Sequence, residues 1–403
     1  MNSGVTIPLL VLVLAGVGCR THGETSVVEI VDYGVQLDTI RSGFDKKTCW
    51  VHPRAGTIPG DTPVVVMTMQ KLLLSGSDVF YALNEMRTDD LGQTWAGPVE
   101  HESLGRREED AGIVSVTCDF TPKWHAKSGK LLGTGHVARY KGDRLAGDYA
   151  RQTSYSWYDP KARTWAPWRT VAMPDEAKFY SSGAGSTQRV DLANGDILLP
   201  FYFKAKGVKT ASSAVMRCRF DGETLRYMEH GDAMTIDVPR GLGEPSLACF
   251  QDRYYLTLRN DVKGYVTSGA DGLHFDPPRP WTFDDGTELG SYNTQQHWVV
   301  HPDGLFLVYT RRDPKHDHVF RHRAPLRIAQ VDPQRLCVVR ATERILVPER
   351  GARLGNFAVT KVSDKETWVT VAEWMQPAGC EQYGSDNSVY AARIIWRDQA
   401  AKP

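Results

Sequence analysis

Histidine and tyrosine side chains, which can act as general acids or bases, are concentrated on a few polar segments of this chain. The segment SYNTQQHW contains Tyr292 and His297, and HDHVFRHR contains three further histidines. The full set is His52, His136, Tyr292, His297, His316, His318 and His322. A His or Tyr beside an arginine-bound carboxylate could abstract a proton while the arginines stabilise the charge that develops. The same histidines could instead bind a metal ion, with His316 and His318 as the sharpest pair.

The elements that must hold these side chains are short strands. The runs 64–74 and 79–86 are rich in β-branched and apolar residues, and residues 27–41 read as a strand, a turn and a second apolar stretch. Beyond the N-terminus, no part of the chain keeps apolar residues at a period of 3.6 over a dozen positions. The sequence therefore predicts an all-β fold.

A turn pattern recurs along the chain, and its first copy, TDDLGQTW at residues 88–95, is complete. Asp90 and Gly92 favour a tight turn, because Asp bonds the backbone N–H groups ahead of it and Gly accepts positive φ. Weaker copies follow as YDPKARTW (158–165), CRFDGETL (218–225), SGADGLHF (268–275) and AQVDPQRL (329–336). Successive copies begin 70, 60, 50 and 61 residues apart, which fits four-stranded propeller blades. Asp90 is accordingly predicted to be structural, not catalytic.

A second phrase, a turn followed by apolar residues, lies upstream of each hairpin. It occurs as SGKLLGTG (128–135), NGDILLPF (194–201), QDRYYLTL (251–258), PDGLFLVY (302–309) and SDKETWVTVAEW (363–374). Each copy predicts a turn that leads into a blade's innermost strand. With a first blade counted from Val64, six blades are expected. VYAARIIW at 389–396 would supply the last hairpin, and the early strand near Val27 would close the ring.

TDDLGQTW and its copies resemble the Asp boxes of the sialidase superfamily. The resemblance implies one six-bladed sialidase-type propeller over residues 27–400, with the active site on the face opposite the Asp boxes. It also implies three arginines that bind a substrate carboxylate, an Asp acid/base, and a Tyr nucleophile paired with a Glu. Arginine suits the first task because its guanidinium is always charged and binds a carboxylate through two parallel hydrogen bonds.

Several positions of this chain match those family residues. In RAGTIP, Arg54 falls at the first arginine, although extra residues separate it from the Ile-Pro that follows. Asp78, 24 residues later, lies in a loop where the family acid belongs. In GEPSLACFQDRYYLTLR, Glu244 matches the Tyr-activating Glu, and Arg259, 15 residues on, matches the second arginine.

The third arginine and the nucleophile are matched less directly. RHRAPLRIAQVD offers Arg323, with Arg321 as its competitor. Where the family has its Tyr, LGNFAVTKV places Asn356 and Phe357. A phenyl ring without a hydroxyl cannot form a glycosyl-enzyme bond, so the sequence departs from sialidases at the nucleophile.

Three functions therefore remain open. The first is a sialidase-like glycoside hydrolase that acts on an acidic glycan, with Asp78 as acid/base, Glu244 as a supporting carboxylate, and water or another group as nucleophile. The second is a polysaccharide lyase, similar to the ulvan lyases, in which His297 or His136 works with Tyr292. The third is a non-catalytic glycan-binding propeller. The expected partner is an acidic oligo- or polysaccharide, with no cofactor.

Charge and the N-terminus bear on partners and location. Basic and acidic residues balance at 48 each, which disfavours nucleic acid as a partner. Residues 1–19 resemble a secretory signal, so export is expected. The sequence before Cys19 resembles a bacterial lipoprotein cleavage site, which leaves three locations open: the periplasm, the outer membrane with a lipid on Cys19, or the outside of the cell. Residues 20–26 read as a linker. The other six cysteines are scattered singly, which favours buried thiols over a disulfide framework.

Overall fold

The chain is all-β, and in the computed structural model its strands pair into separate antiparallel sheets arranged as a β-propeller. The structure describes Met1 and residues 28–76, 78–146 and 150–397. The predicted export signal, the linker and Cys19 lie outside these residues. Six sheets, numbered 1 to 6 from the N-terminal side, contain the described strands.

Sheets 1 to 3 follow one another along the chain, and each is given from the innermost strand outwards. Sheet 1 contains Thr48–Ile58, Val64–Leu73, Val79–Thr88 and Ala96–Glu100. Sheet 2 contains Ile113–His125, Lys130–Lys141, Thr153–Asp159 and Thr164–Trp165, with Arg107–Glu109, Arg144–Leu145 and Arg169–Thr170 at its margins. Sheet 3 contains an interrupted innermost strand, Ser181–Gly183 with Val190–Asp191, followed by Asp196–Lys204, Ser212–Phe220 and Leu225–His230.

Sheets 4 to 6 repeat the arrangement, and the last recruits a strand from the N-terminal side. Sheet 4 contains Gly243–Phe250, Arg253–Arg259, Tyr265–Gly269 and Arg279–Pro280. Sheet 5 contains His297–His301, Gly304–Tyr309, Leu326–Asp332, Cys337–Val338 and Arg344–Val347. Sheet 6 contains Ala358–Ser363, Glu366–Ala372, Val389–Trp396 and Tyr33–Arg41. In sheet 6 the strand Tyr33–Arg41 pairs with Val389–Trp396, and Tyr33 lies opposite Trp396. The sequence predicts this pairing of an early strand with the last sheet, although the strand begins later than Val27.

Helical structure in the described ranges is confined to short 3₁₀ turns. These are Glu102–Leu104, Asp110–Gly112, Pro314–His316, Phe320–His322, Arg340–Thr342 and Cys380–Tyr383. None of the helices that the structure describes has the length and apolar character needed to cross a bilayer. All six described cysteines are free thiols, as the scattered spacing predicts.

The prediction of which strands are innermost was wrong by one strand. All five turn-plus-apolar phrases lead into the second strand of a sheet, as in Gly304–Tyr309 of sheet 5, which is wholly buried. The run from Val64 is likewise a second strand, and Thr48–Ile58, which was not predicted, lies inside it. His136 correspondingly lies within the second strand of sheet 2. Second strands are covered on both faces and so read as apolar runs, whereas innermost strands line a polar channel and carry mixed residues.

The five copies of the turn pattern each lie between the third and fourth strands of sheets 1 to 5. In the complete copy, Asp90 Oδ1 accepts from Thr88 Oγ1 at 2.7 Å and from Thr94 N at 2.9 Å, and Asp90 Oδ2 accepts from Thr94 Oγ1 at 2.6 Å. Trp95 packs against Trp368 of sheet 6, with ring centroids 6.0 Å apart. The turn therefore fastens sheet 1 to its neighbour as well as joining two strands.

These bonds make the turn sensitive to acid. Hydrogen bonds from Thr94 and Thr88 lower the pKa of Asp90 from 3.8 to about 2, so its contribution to stability is present above about pH 4 and is lost as the pH falls towards 2. We expect Asp90→Asn to be less stable than wild type at pH 6, with the difference in melting temperature narrowing between pH 4 and pH 2. Asp61→Asn, an exposed residue in the first turn of the same sheet, is the control. An unchanged difference across this pH range would contradict the assignment.

Candidate functional site

Antiparallel pairing collects the candidate residues at one edge of the sheets. Within each sheet the innermost strand starts where the second strand ends, so residues from both lie side by side. Gly243, at the start of sheet 4, pairs with Arg259 at the end of the next strand. The third–fourth strand turns lie at the opposite edge. The expected separation between the site and the turn pattern therefore follows from strand direction alone.

A one-residue bulge in three of the innermost strands redirects a polar side chain. In sheets 1, 2 and 4 the register shifts between Val51 and Arg54, Cys118 and Thr121, and Gly243 and Ser246. The residue that follows the last regular pair has a left-handed backbone each time: His52 (φ 54°), Asp119 (φ 52°) and Glu244 (φ 42°). Such conformations are costly for residues other than glycine and concentrate at functional sites.

Sheets 3 and 5 place a left-handed polar residue at the same level without a bulge. Ser186 (φ 58°) lies in the break of the innermost strand of sheet 3, and Asn293 (φ 60°) precedes that of sheet 5. Five sheets thus direct a polar side chain towards the axis.

These side chains connect into a polar chain that passes through all six sheets. Its links are Glu244–Arg259, Arg259–Asn293 (3.1 Å), Asn293–Arg323, Arg323–Asn356 (3.3 Å), Asn356–His52 (2.8 Å), His52–Asp119 (3.4 Å), Asp119–His136 (3.9 Å) and His136–Tyr202 (3.3 Å). The sheets are therefore tied to one another at their inner edges by charged and polar groups, and this ring surrounds the mouth of the channel.

Three arginines form the most positive part of the ring: Arg259, Arg323 and Arg353. Burial, together with the nearby charges of Arg259 and Arg353, lowers the pKa of Arg323 well below its usual value. Burial also lowers the pKa of Arg353 to about 10, although the charge of Asp78 acts in the other direction. A guanidinium stays protonated at physiological pH, so these shifts indicate charges without sufficient counter-charge.

Each of the three arginines also has an Nε–H that is buried and forms no hydrogen bond within the described residues. Their one ion-pair partner deep in the site is Glu244, whose Oε1 accepts from Arg259 while Oε2 is buried and unpaired among the described groups. A buried cation or donor without a partner is unfavourable, and an anionic ligand would relieve it.

Arg54 also has a buried, unpaired Nε–H and a pKa lowered by burial, but unlike Arg323 and Arg353 it has a carboxylate at ion-pair distance. It is 0% exposed and its Nη2 donates to Asp119 Oδ1 at 3.1 Å and to Ser186 Oγ at 2.8 Å. Burial raises the pKa of Asp119, but His52, Arg54, His136 and Ser186 together hold it far below its usual value. Because burial keeps both histidines neutral, Arg54 and Ser186 are the partners that matter at neutral pH. Asp119 is therefore a permanent carboxylate and a poor general acid.

His136 is held rigidly beside Asp119. Its Nδ1 contacts the Tyr202 hydroxyl at 3.3 Å, which also accepts from Arg151 Nη1 at 3.0 Å. Burial and Arg151 lower the pKa of His136 to about 3. A Cβ at Gly185 would lie 1.9 Å from His136 Nδ1, so only glycine fits there.

The predicted acid, Asp78, lies on an exposed loop with a left-handed backbone (φ 51°). In the described part of the chain its carboxylate forms no hydrogen bond, and its charge acts on both Arg353 and His52. This carboxylate is therefore accessible to a ligand and close to the arginines.

Asn356 and Phe357, which the sequence comparison aligned with the family Tyr, have separate roles. Asn356 bridges Arg323 and His52, whereas the Phe357 ring is 0% exposed and lies in the core. His297 contacts that ring at 5.2 Å, and its Nδ1 is 2.7 Å from Ser246 Oγ. Burial lowers the pKa of His297 well below 6.5. His297 is thus enclosed beneath the site and neutral.

Tyr292 forms a relay beside the arginines. Its hydroxyl lies 2.5 Å from His322 Nδ1, and His322 Nε2 lies 3.2 Å from Asp317 Oδ1. The guanidinium of Arg312 stacks 4.3 Å from the Tyr292 ring centroid. His316 and His318 face other partners, Asp313 and Glu349, so the three histidines of HDHVFRHR do not converge on one ion.

The channel also opens at its other end. A cavity of about 380 Å³ is lined there by the later parts of the innermost strands. Its charged side chains include Arg189 and Asp191, which pair with each other at 2.9 Å. The arginine at this end of the channel therefore has a carboxylate partner, in contrast to Arg323 and Arg353 at the mouth.

No protein-family model and no curated protein sequence matches the chain. Solved structures do match. A protein of unknown function from Dyadobacter fermentans DSM 18053 superposes with a TM-score of 0.62 and 13% identity, over 90% of this chain and 100% of the other. The Hadza microbial sialidase Hz136 superposes with a TM-score of 0.63 and 13% identity, over 89% of this chain and 68% of the sialidase. Trypanosoma rangeli sialidase superposes with a TM-score of 0.60 and 13% identity, over 89% of this chain and 59% of the sialidase.

The chain shares its fold with sialidases. At this identity the likeness concerns the backbone arrangement and leaves the chemistry to the residues themselves.

The sequence drew attention to Arg259, Arg323, Glu244 and Asp78, which the structure brings to one mouth, and missed Arg353. Arg353 stands three residues before Asn356, immediately before the segment LGNFAVTKV. A signal for the bulges was also present: VHPR and GEPS both place proline after the bulged residue. A bulge interrupts the hydrogen bonds between two strands, and proline has no backbone N–H that would be left unpaired there.

Removing the Asp119 charge should destabilise the protein strongly. Asp119→Asn leaves the guanidinium of Arg54 buried without a counter-ion, so we expect the free energy of unfolding to fall by about 3 to 5 kcal/mol. Denaturant unfolding at pH 7 measures this. Asp261→Asn, which alters a rim carboxylate 3.4 Å from Arg259, is the control and should cost within about 1 kcal/mol. Equal losses in both variants would contradict a special role for Asp119.

Proposed function

We propose that this chain is an exported six-bladed sialidase-type propeller that binds an acidic glycan and hydrolyses it. The observation that carries the proposal is the group of Arg259, Arg323 and Arg353 at the channel mouth, with less negative than positive charge around it. A sugar carboxylate would supply the missing charge and accept several of the free N–H groups. Arg353 takes the place in the clamp that was predicted for Arg54.

The proposed general acid is Asp78. It is exposed, unpaired in the described structure, and close enough to Arg353 to influence that charge. A glycan bound by the arginines would lie beside this loop, where the carboxyl could donate a proton to the leaving group. Asp119, in contrast, is fixed as an anion by Arg54 and Ser186 and would orient the site.

The proposed nucleophile is water. Asn356 and Phe357 offer no hydroxyl, whereas Glu244 Oε2 is buried and unpaired beside the arginines and could polarise a water molecule. Direct attack by water inverts the anomeric centre, whereas a covalent intermediate retains it. T. rangeli sialidase is described as forming a covalent intermediate with a difluorosialic acid. The two proteins would therefore differ in stereochemical outcome.

A second candidate is β-elimination, favoured by the Tyr292–His322–Asp317 relay. The 2.5 Å contact between Tyr292 and His322 suits a phenol that exchanges its proton with an imidazole. A lyase of this kind leaves a double bond in the product that absorbs ultraviolet light.

The deciding experiment incubates the protein with sialyl-lactose and with uronate polysaccharides. We expect new reducing ends without ultraviolet absorbance, and proton NMR of the first-formed anomer should show inversion. A rise in ultraviolet absorbance that Tyr292→Phe abolishes would replace the hydrolase proposal with the lyase. Saturable glycan binding without any product would replace it with a binding module.

Substitutions separate binding from chemistry in the same assay. Asp78→Asn keeps a residue that tolerates the left-handed backbone but cannot donate a proton, so kcat should fall by about 10² to 10⁴. Arg353→Lys should raise KM by about 10- to 100-fold because the bidentate bond is lost. Arg226→Lys, in a hairpin at the other edge, should change neither. Full activity in Asp78→Asn would refute the acid assignment.

A further inference from the structure

Three side chains of different chemistry direct donor atoms at one point in sheet 2. These are Cys118 Sγ, Asp119 Oδ2 and His136 Nε2, which all lie within 4.8 Å of one another. The sulfur and the imidazole nitrogen are 3.2 Å apart, and that nitrogen is 3.9 Å from Asp119 Oδ2. Tetrahedral zinc with ordinary bond lengths keeps its ligand atoms about 3.3 to 3.7 Å apart, so small movements would close the set around one ion. We propose that these residues bind Zn²⁺.

The backbone explains why neighbours in sequence can share one ion. In a regular strand Cys118 and Asp119 would face opposite sides. The bulge, with Asp119 at φ 52°, turns the second side chain back towards the first. His136 is the residue paired directly with Cys118 on the adjacent strand, so its ring meets both. Within the described ranges no other group of three or more such donors converges in this way.

The groups around the three donors are those that a metal site needs. Tyr202 contacts the remaining ring nitrogen of His136 at 3.3 Å and so holds the ring with Nε2 directed at the other two donors. Ser186 donates to Asp119 Oδ1 at 2.6 Å and Arg54 to the same oxygen at 3.1 Å, which leaves Oδ2 for the ion. Gly185 permits this close packing, since a Cβ there would lie 2.9 Å from Asp119 Cβ.

The Cys118 thiol loses one proton to solvent as its sulfur bonds to zinc. The thiolate and the Asp119 carboxylate then place two negative charges beside the divalent ion and Arg54, which leaves one net positive charge in the site. Arg54 opposes any additional positive charge beside Asp119, which makes the thiolate indispensable for binding. Asp119 is the one member of the three that reaches the surface, with 14% of its side chain exposed, and solvent can supply the fourth ligand there.

A mixed sulfur, nitrogen and oxygen set favours zinc over calcium or magnesium, which prefer oxygen ligands. Co²⁺ has similar ligand preferences, and its absorption spectrum shows whether a thiolate binds it. The site lies in the polar ring but is independent of glycan hydrolysis, because metal binding can be measured without any substrate.

The test uses the full-length protein, stripped with a chelator and titrated with Co²⁺ and then Zn²⁺. We expect one Co²⁺ per chain, a thiolate-to-cobalt absorption band in the near ultraviolet, its loss on displacement by Zn²⁺, and release of one proton per ion at pH 7. Absence of the thiolate band in wild type would overturn the proposal and leave the three residues as a hydrogen-bonded packing cluster. This measurement uses the wild-type protein, so it does not depend on whether a variant folds.

Variants assign the ligands. Cys118→Ser should abolish the thiolate band and weaken Zn²⁺ binding by at least about 100-fold, and Tyr202→Phe should weaken it by about 10-fold with the band retained. Cys218→Ser alters another fully buried thiol, in sheet 3, and should leave both readouts unchanged. A thiolate band that persists in Cys118→Ser, or disappears in Cys218→Ser, would also overturn the assignment.

Discussion

A left-handed residue near the start of the innermost strand is the constraint on which this site depends. His52, Asp119 and Glu244 occupy the same bulge in three sheets, and Ser186 and Asn293 provide the equivalent conformation in two more. A regular strand would alternate these side chains between the two faces of a sheet. The bulge aims them along the axis instead. The strain is tolerated because each bulged side chain is bonded to groups from a neighbouring strand or sheet.

The bonds formed by these residues divide the mouth of the channel into two halves. On one side Asp119 is surrounded by Arg54, Ser186, His52 and His136, and its charge is satisfied. On the other side Glu244 is the buried carboxylate among Arg259, Arg323 and Arg353, while Asp261 and Asp78 are more exposed, and the Nε–H of each arginine lacks a partner among the described residues. The ion pairs and hydrogen bonds around Asp119 hold that half of the ring rigid. In the other half, the unpaired arginine N–H groups can bind an anion. This asymmetry, more than any single residue, connects the structure with an acidic ligand.

The backbone resemblance to sialidases at 13% identity concerns the fold, whereas the chemistry of the mouth depends on its own side chains. Sheet packing depends on apolar second and third strands and on hairpin turns such as that of Asp90, which lie at the edge opposite the mouth. Asn356 and Phe357 show the division between the two, because Asn356 bridges polar groups of the mouth while the Phe357 ring joins the core. Polar side chains at the mouth can therefore change without altering the fold.

Sequence alone determined the all-β class, the hairpin turns, the closing role of the first strand, and the candidates Asp78, Glu244, Arg259 and Arg323. These features rest on local signals: turn chemistry, apolar alternation and charged residues at strand ends. Only the tertiary structure decided that Arg353 lies beside Arg323, that Arg54 is held by Asp119, and that His297 is enclosed.

The physical reason is that burial and partner choice are set by residues far apart in the chain, as in the contact between Asn356 and His52. The innermost strands escaped prediction for a related cause. They line a polar channel, so the apolar periodicity that identifies a strand is weakest where the site is built.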